Sequence, residues 1–245
     1  MNSLPYIHTS FASPYVDYLI QNGCPASRYV RLAKLPEVIL EQADGFVSEQ
    51  YVYQLLKIAA DREGIDDFGL QIAELVPLTA LGKLGEQMAA MPTLHASLDL
   101  FCQKICEEVI SHIGFWLARY DGKTWFCRTP PPCFDSNLKH PEQFAVLFMI
   151  KLVRLFTGDD WCPEEVWLRS NKRKEFIDHA YFRNTEVFFD KNITAVALPS
   201  LADERSIVQS RLTPPEMEVG DTSQSLSKLL KLYLPEGYPG IELAA

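Results

Sequence analysis

From Phe144 to Leu155 the chain places apolar residues on nearly every side of a helix: Phe144, Val146, Leu147, Phe148, Ile150, Leu152, Val153 and Leu155. A helix that is apolar all round has to be covered all round. Lys151 and Arg154 interrupt the run, and it is too short to span a bilayer, so the cover must come from the rest of the chain. Pro141 suits the first turn of such a helix and Gly158 its stop. The segments before and after Gly114 offer that cover in two different ways.

Before Gly114 the pattern is helical. Val52, Leu55, Leu56, Ala59 and Ala60 form one stripe between Ser48 and Ala60, with Gly64 placed to end it. Asp66 and Asp67 are N-cap candidates for a short helix carrying Phe68, Ile72 and Ala73, stopped before Pro77. Leu81, Leu84, Gly85 and Met88 mark a third helix. Thr93 caps a fourth, along which Leu94, Leu98, Phe101, Ile105 and Val109 align.

At Gly114 the period changes. Phe115 to Tyr120 and Lys123 to Arg128 are short aromatic-rich runs joined by Asp121-Gly122, the preferred two-residue hairpin turn. Pro130-Pro131-Pro132 ends the pairing. After the long helix come a strand at Glu165 to Ser170, a short helix near Lys174 to Ala180, and a second hairpin from Glu186-Phe189 to Ile193-Leu198. Without regular β-α alternation or glycine-rich phosphate loops, a doubly wound parallel sheet is not expected. The expected class is α+β. A helical block (about 1–113) precedes an antiparallel sheet with the long helix packed on it (about 114–200). Residues 201–222 read as a polar, proline-marked linker, and 223–245 as a further amphipathic helix followed by the opening of another.

With 32 acidic against 23 basic residues and a net charge of −9, the chain lacks the basic footprint that phosphate neutralisation requires. Its densest basic cluster, Lys172-Arg173-Lys174, reads as a solvated turn. Six cysteines without a C-x-x-C pair, and no apolar stretch after Met1, point to free thiols in a reducing cytoplasm. Cys102 and Cys106 have helical i, i+4 spacing, but His112 lies off their stripe and no further ligand completes a metal site. No nucleophile, paired acid and base, or cofactor motif stands out, so neither a catalytic residue, a metal nor a cofactor is expected.

The aromatic residues of the second half carry two readings. Phe115, Trp116, Tyr120, Trp125, Phe126, Phe148, Trp161 and Trp167 either fill a core or line an apolar pocket for a small molecule. Lys151 and Arg154 either lie at a solvated edge or pair with an anion. The candidate effector-binding set is Trp116, Trp125, Phe148, Arg154 and Trp167.

Several segments, in order, resemble the N-terminal, arabinose-binding-like domain of one branch of AraC/XylS-type bacterial regulators. Leu19-Ile20-Gln21-Asn22-Gly23 and Leu32-Ala33-Lys34-Leu35-Pro36 look like the family's opening helices. Asp66-Asp67-Phe68-Gly69-Leu70 matches its D-x-x-F-G-L step. Leu81-Gly82-Lys83-Leu84-Gly85 with Met91-Pro92-Thr93-Leu94-His95-Ala96-Ser97-Leu98 resembles its L-G-x-L-G … P-T-L run, with Ala96-Ser97-Leu98 in place of Glu-Ala-Leu. Thr157 to Val166 is similar to the family's G-x-x-W-x-P-x-x-V entry into a strand, and Phe182 to Phe189 to its F-x-x-x-V-x-F strand. The resemblance covers most of residues 15–200.

It implies a cytoplasmic sensor of an unidentified small molecule that self-associates, as a homodimer, and controls an attached helix-turn-helix domain. DNA would be reached only through that domain and no membrane is involved. Leu234 to Ala245 is similar to the phrase that opens the DNA-binding unit, so that unit is expected to be missing from this chain. Two other classes stay open from the residues alone: a stand-alone enzyme with an aromatic pocket, and a pure protein-interaction domain.

Overall fold

A computed structural model describes residues 4–41, 44–130, 139–171, 174–199, 214 and 222–233. Pro131 and Pro132, the Lys172-Arg173 pair, most of the linker and the Leu234 to Ala245 phrase lie outside the described residues.

The N-terminal half begins with β1 (Tyr6–His8), α1 (Thr9–Gln21) and α2 (Ala26–Leu32). After a 3-10 turn at Glu37–Glu41 come β2 (Phe46–Ser48) and α3 (Glu49–Glu63). The stripe Val52, Leu55, Leu56, Ala59 and Ala60 is buried as its spacing requires, and Gly64 ends α3 in the left-handed conformation at φ 68°. Next are α4 (Phe68–Leu75), α5 (Lys83–Ala89) and α6 (Leu94–Glu108). The Thr93 hydroxyl accepts from the Ala96 amide at 3.2 Å, so α6 starts where its cap says it should. Three-residue β1 and β2 pair antiparallel, a small sheet that no periodicity announced.

The second half holds β3 (Phe115–Tyr120), β4 (Lys123–Arg128), α7 (Lys139–Thr157), β5 (Glu165–Trp167), α8 (Lys174–Ile177), β6 (Glu186–Phe188) and β7 (Thr194–Ala197). The β3–β4 hairpin closes through Asp121 at φ 50° and Gly122 at φ 73°, the pair of positive angles its turn demands. The sheet order is β3-β4-β7-β5-β6.

The α+β class and the long helix follow the sequence reading, but one connection differs. β6 and β7 do not form a hairpin: β5 inserts between them, antiparallel to β7 and parallel to β6, so the sheet is mixed. The buried Glu142 carboxylate on α7 explains the placement. It accepts from the Arg169 and Ser170 amides just beyond β5, at 2.8 and 2.9 Å, and from the Thr194 hydroxyl of β7, at 2.6 Å. Hydrogen bonds to a charged acceptor are the strong ones, and these tie β5 and β7 to the same helix.

Helix α7 is buried along most of its length, covered by the sheet and by α3, α4 and α6. Lys151 takes neither of its two expected roles. Its ammonium donates to the carbonyls of Ala73, Glu74 and Val76 at 2.8, 3.1 and 2.5 Å, satisfying the end of α4 that the helix itself leaves open. Lys151→Met should therefore lower stability by about 1–2 kcal/mol, because these carbonyls lose a charged donor. Urea denaturation of the variant checks this; an unchanged midpoint would mean water replaces the cap without loss.

The last described element, α9 (Thr222–Tyr233), packs on β2. The Lys228 ammonium donates to the Tyr6 hydroxyl (3.0 Å) and the Glu107 carbonyl (2.9 Å), and lies 4.7 and 4.9 Å from the Tyr6 and Phe46 ring centres.

Candidate functional site

Alternation along β3 and β4 sends side chains to two faces. Phe115, Leu117, Phe126 and Arg128 face the helices, while Trp116, Ala118, Trp125 and Cys127 face away. On the helical side, α1, α3, α6 and α7 meet the hairpin without closing completely. They leave a cavity of about 70 Å³.

Its wall is built from one or two turns of each element. Phe11 and Tyr15 come from α1, Val52, Tyr53 and Leu56 from α3, and Phe101 and Ile105 from α6. Phe144, Phe148 and Met149 come from α7, and Phe115 and Arg128 from the hairpin. Phe144 and Phe148, one turn apart, lie parallel at 5.6 Å, and Phe11 meets Phe148 edge-on at 5.3 Å. Such geometries are those in which rings attract beyond simple burial.

One corner is polar. The Tyr53 hydroxyl donates to Glu49 Oε1, while Glu49 Oε2 is buried with no hydrogen-bond partner among the described residues. Burial pushes the Glu49 carboxyl from an ordinary 4.5 up to about 7, against the opposing pull of the Tyr53 hydrogen bond and the Arg128 charge. Burial also holds the Tyr15 and Tyr53 hydroxyls far above their usual range, with the Arg128 charge opposing in both. Arg128 is 4% exposed, and among the described residues it has no hydrogen bond or ion pair. The arrangement suits an apolar body with a polar end directed at this corner.

Of the candidates taken from the sequence, Phe148 lines this cavity. Trp116, Trp125 and Trp167 gather on the opposite face of the sheet, with Trp125 and Trp167 ring centres 4.6 Å apart. Arg154 sits near the end of α7. Its Nε donates to the Trp161 carbonyl at 2.7 Å and its guanidinium covers the Tyr181 ring at 3.9 Å.

Sequence reasoning passed over Glu49, Tyr53, Tyr15 and Arg128. The first two were within reach: Glu49, Val52, Tyr53 and Leu56 stand at i, i+3, i+4 and i+7, so the carboxylate shares the apolar stripe. Arg128 gave less signal, because both faces of its strand are apolar.

Burial raises the Cys106 thiol to about 11 and raises Cys102 and Cys127 as well, which keeps all three protonated at neutral pH. Among the described residues no group of three or more His, Cys, Asp or Glu is placed to hold a metal ion, and no helix is long and apolar enough to cross a membrane.

Comparison with known proteins places this architecture. The fold is similar to that in the crystal structure of transcriptional regulator CdpR from Pseudomonas aeruginosa, with a TM-score of 0.52 and 16% identity. The match covers 76% of this chain and 53% of that one, so the chain spans about half the length of the regulator it resembles. At that identity the likeness is one of fold. No curated protein matches the sequence. Residues 23–203 match the family model described as the arabinose-binding domain of AraC transcription regulators, N-terminal. That span takes in α2 through β7 and with them most of the cavity wall, and the chain belongs to this family of regulator domains.

Proposed function

We propose that the chain is the effector-sensing part of an AraC-type transcription regulator, that the α3/α7/hairpin cavity is its sensing site, and that it acts on a helix-turn-helix domain outside this chain. The observation that carries the reading is an apolar cavity with a polar corner inside a family of ligand-binding regulator domains. Residues 1–200 are the sensor, and α9 is the element leading out of it. DNA contact is assigned to the absent domain, since the net charge of −9 gives this chain little attraction for phosphate. The setting is cytoplasmic.

The location of α9 supports a route for the signal. Ile7 on β1 lines the cavity, and its neighbour Tyr6 receives Lys228 of α9. A ligand that shifts β1 changes the seat of α9 by whatever difference it makes in affinity between the two arrangements. Self-association belongs to the same proposal. α9 buries Ser225 and Leu229 but leaves Leu226 at the surface, where a second copy can reach it.

Effectors named in the family's description are not a close chemical match. A pentose presents a hydroxyl on nearly every carbon, whereas among the described residues only Arg128, Tyr15 and Tyr53 put polar side chains on the wall, and the unmet hydroxyls would be costly to bury.

A metabolite screen by thermal shift tests the reading. At a hundredfold excess over Kd a true ligand adds about 2.7 kcal/mol, or a rise of about 5–10 °C for a domain of this size. Ile105→Phe, which fills the cavity, should remove the rise. A rise that persists in that variant places the site elsewhere, and sedimentation as a monomer with and without the hit would end the self-association part.

A further inference from the structure

Arg128 has no clear structural employment. Its side chain is nearly fully buried, faces the cavity from β4, and makes no hydrogen bond or ion pair among the described residues. A buried guanidinium ordinarily has a carboxylate or several carbonyls around it, because an uncompensated internal charge is expensive. The nearby acid is Glu49, but no ion pair joins the two, and Glu49 already shares its Oε1 with Tyr53. Glu49 is also half neutral near pH 7, so it offsets the arginine only in part. Tyr15 and Tyr53, the other polar groups of the corner, keep their protons and contribute no charge. The corner therefore carries a positive charge with open donors in a wall that is otherwise apolar.

The geometry points to a carboxylate ligand: resting on the cavity being the sensing site, we infer that the effector is a small monocarboxylic acid whose carboxylate pairs with Arg128 and whose apolar body lies among Phe11, Phe144 and Phe148. A planar guanidinium presents paired donors that match the two oxygens of a carboxylate. The hydroxyl of Tyr15 stands at the same wall and is able to donate to an anion, while that of Tyr53 is already given to Glu49. The size of the cavity favours a short body. About 70 Å³ is roughly half of the ~150 Å³ in which an apolar protein cavity takes benzene. Lys151 and Arg154 are not rivals for the anion, since three carbonyls occupy the first and a carbonyl and a tyrosine ring the second.

Calorimetric titration of the 245-residue chain with butyrate, hexanoate and phenylacetate, each against its alcohol (butanol, hexanol, 2-phenylethanol), tests the inference. For at least one pair the acid should bind about tenfold or more tightly than the alcohol, the value of a charge-assisted hydrogen bond. In Arg128→Met that preference should disappear while the alcohol still binds, and in Arg128→Lys part of it should remain. Ligand-free Arg128→Met should melt no lower than the parent, because it removes a buried charge that has no ion pair among the described residues. A lower melting point would assign Arg128 to holding the fold and overturn the inference. Alcohols binding as well as acids would overturn it too, yet leave the sensing cavity standing. No binding by either series, in the parent and in Arg128→Met alike, would overturn both.

Discussion

Gly69→Ala is expected to cost the fold about 3 kcal/mol and to lower its melting temperature by about 6–12 °C. Helices α4 and α7 cross with their backbones almost in contact at this residue. A Cβ on Gly69 would lie 2.0 Å from the His140 carbonyl oxygen, 2.9 Å from its carbon and 2.8 Å from Gln143 Cβ. Two of those three atoms are backbone, so no side-chain rotation relieves the clash and the helices must separate. Separation strains the Gly69 amide bond to Gln143 Oε1 (3.1 Å) and the Gln143 amide bond to the Asp66 carbonyl (2.9 Å). Overpacking of this kind costs about 1–3 kcal/mol, occasionally more, and a lost hydrogen bond adds about 1. Alanine's better helix propensity returns only about 1 kcal/mol. Thermal unfolding of the variant decides the matter: a melting temperature equal to or above the parent's would show that the two helices have room to spare.

Glu49→Gln should stabilise the chain above pH 7 by about 3 kcal/mol and leave it nearly unchanged at pH 4. In the folded state the carboxyl titrates at about 7, in the unfolded chain near 4.5. Between those values the folded chain binds the extra proton, so stability falls as pH rises through that window and levels off above it. A displacement of this size corresponds to about 3 kcal/mol. The groups around the carboxyl are Tyr53 on its own helix and Arg128 from β4, and both oppose the shift. Burial outweighs them because Glu49 is 0% exposed and its second oxygen has no hydrogen-bond partner among the described residues. Glutamine keeps an acceptor for the Tyr53 hydroxyl and carries no charge to desolvate. Urea midpoints of parent and variant at pH 5 and pH 8 give the comparison, in which all other titrating groups cancel. A difference that does not grow with pH would mean that Glu49 is solvated and ordinary.

The parts of the fold that were legible in the sequence are those specified within a few residues. The Thr93 cap, the Gly64 stop and the Asp121-Gly122 turn each act through local backbone chemistry, and each lies where that chemistry put it. The glycine in the Asp66 to Leu70 step could be matched to a family pattern, though its reason, contact with the His140 backbone, comes from the other half of the chain. The order of the short strands was not legible. β5, β6 and β7 have three or four residues each, too few for periodicity to choose a partner, and side-chain contacts such as those of Glu142 decide it. The candidate site divides in the same way. Glu49 and Tyr53 announce themselves on a helical stripe. Arg128 does not, because Trp125 and Cys127 make one face of β4 as apolar as Phe126 makes the other.

The division of rings between the two faces of the sheet also sets what light can report. Trp116, Trp125 and Trp167 share the outer face, and Trp161 stands beyond the end of α7, so no indole borders the cavity. Tyr15 and Tyr53 are the fluorophores that do. Indole emission follows the environment of the sheet's outer surface and the α7 turn. A molecule entering between α3 and α7 changes phenol absorption first, which makes near-ultraviolet tyrosine difference spectra the optical channel tuned to that space.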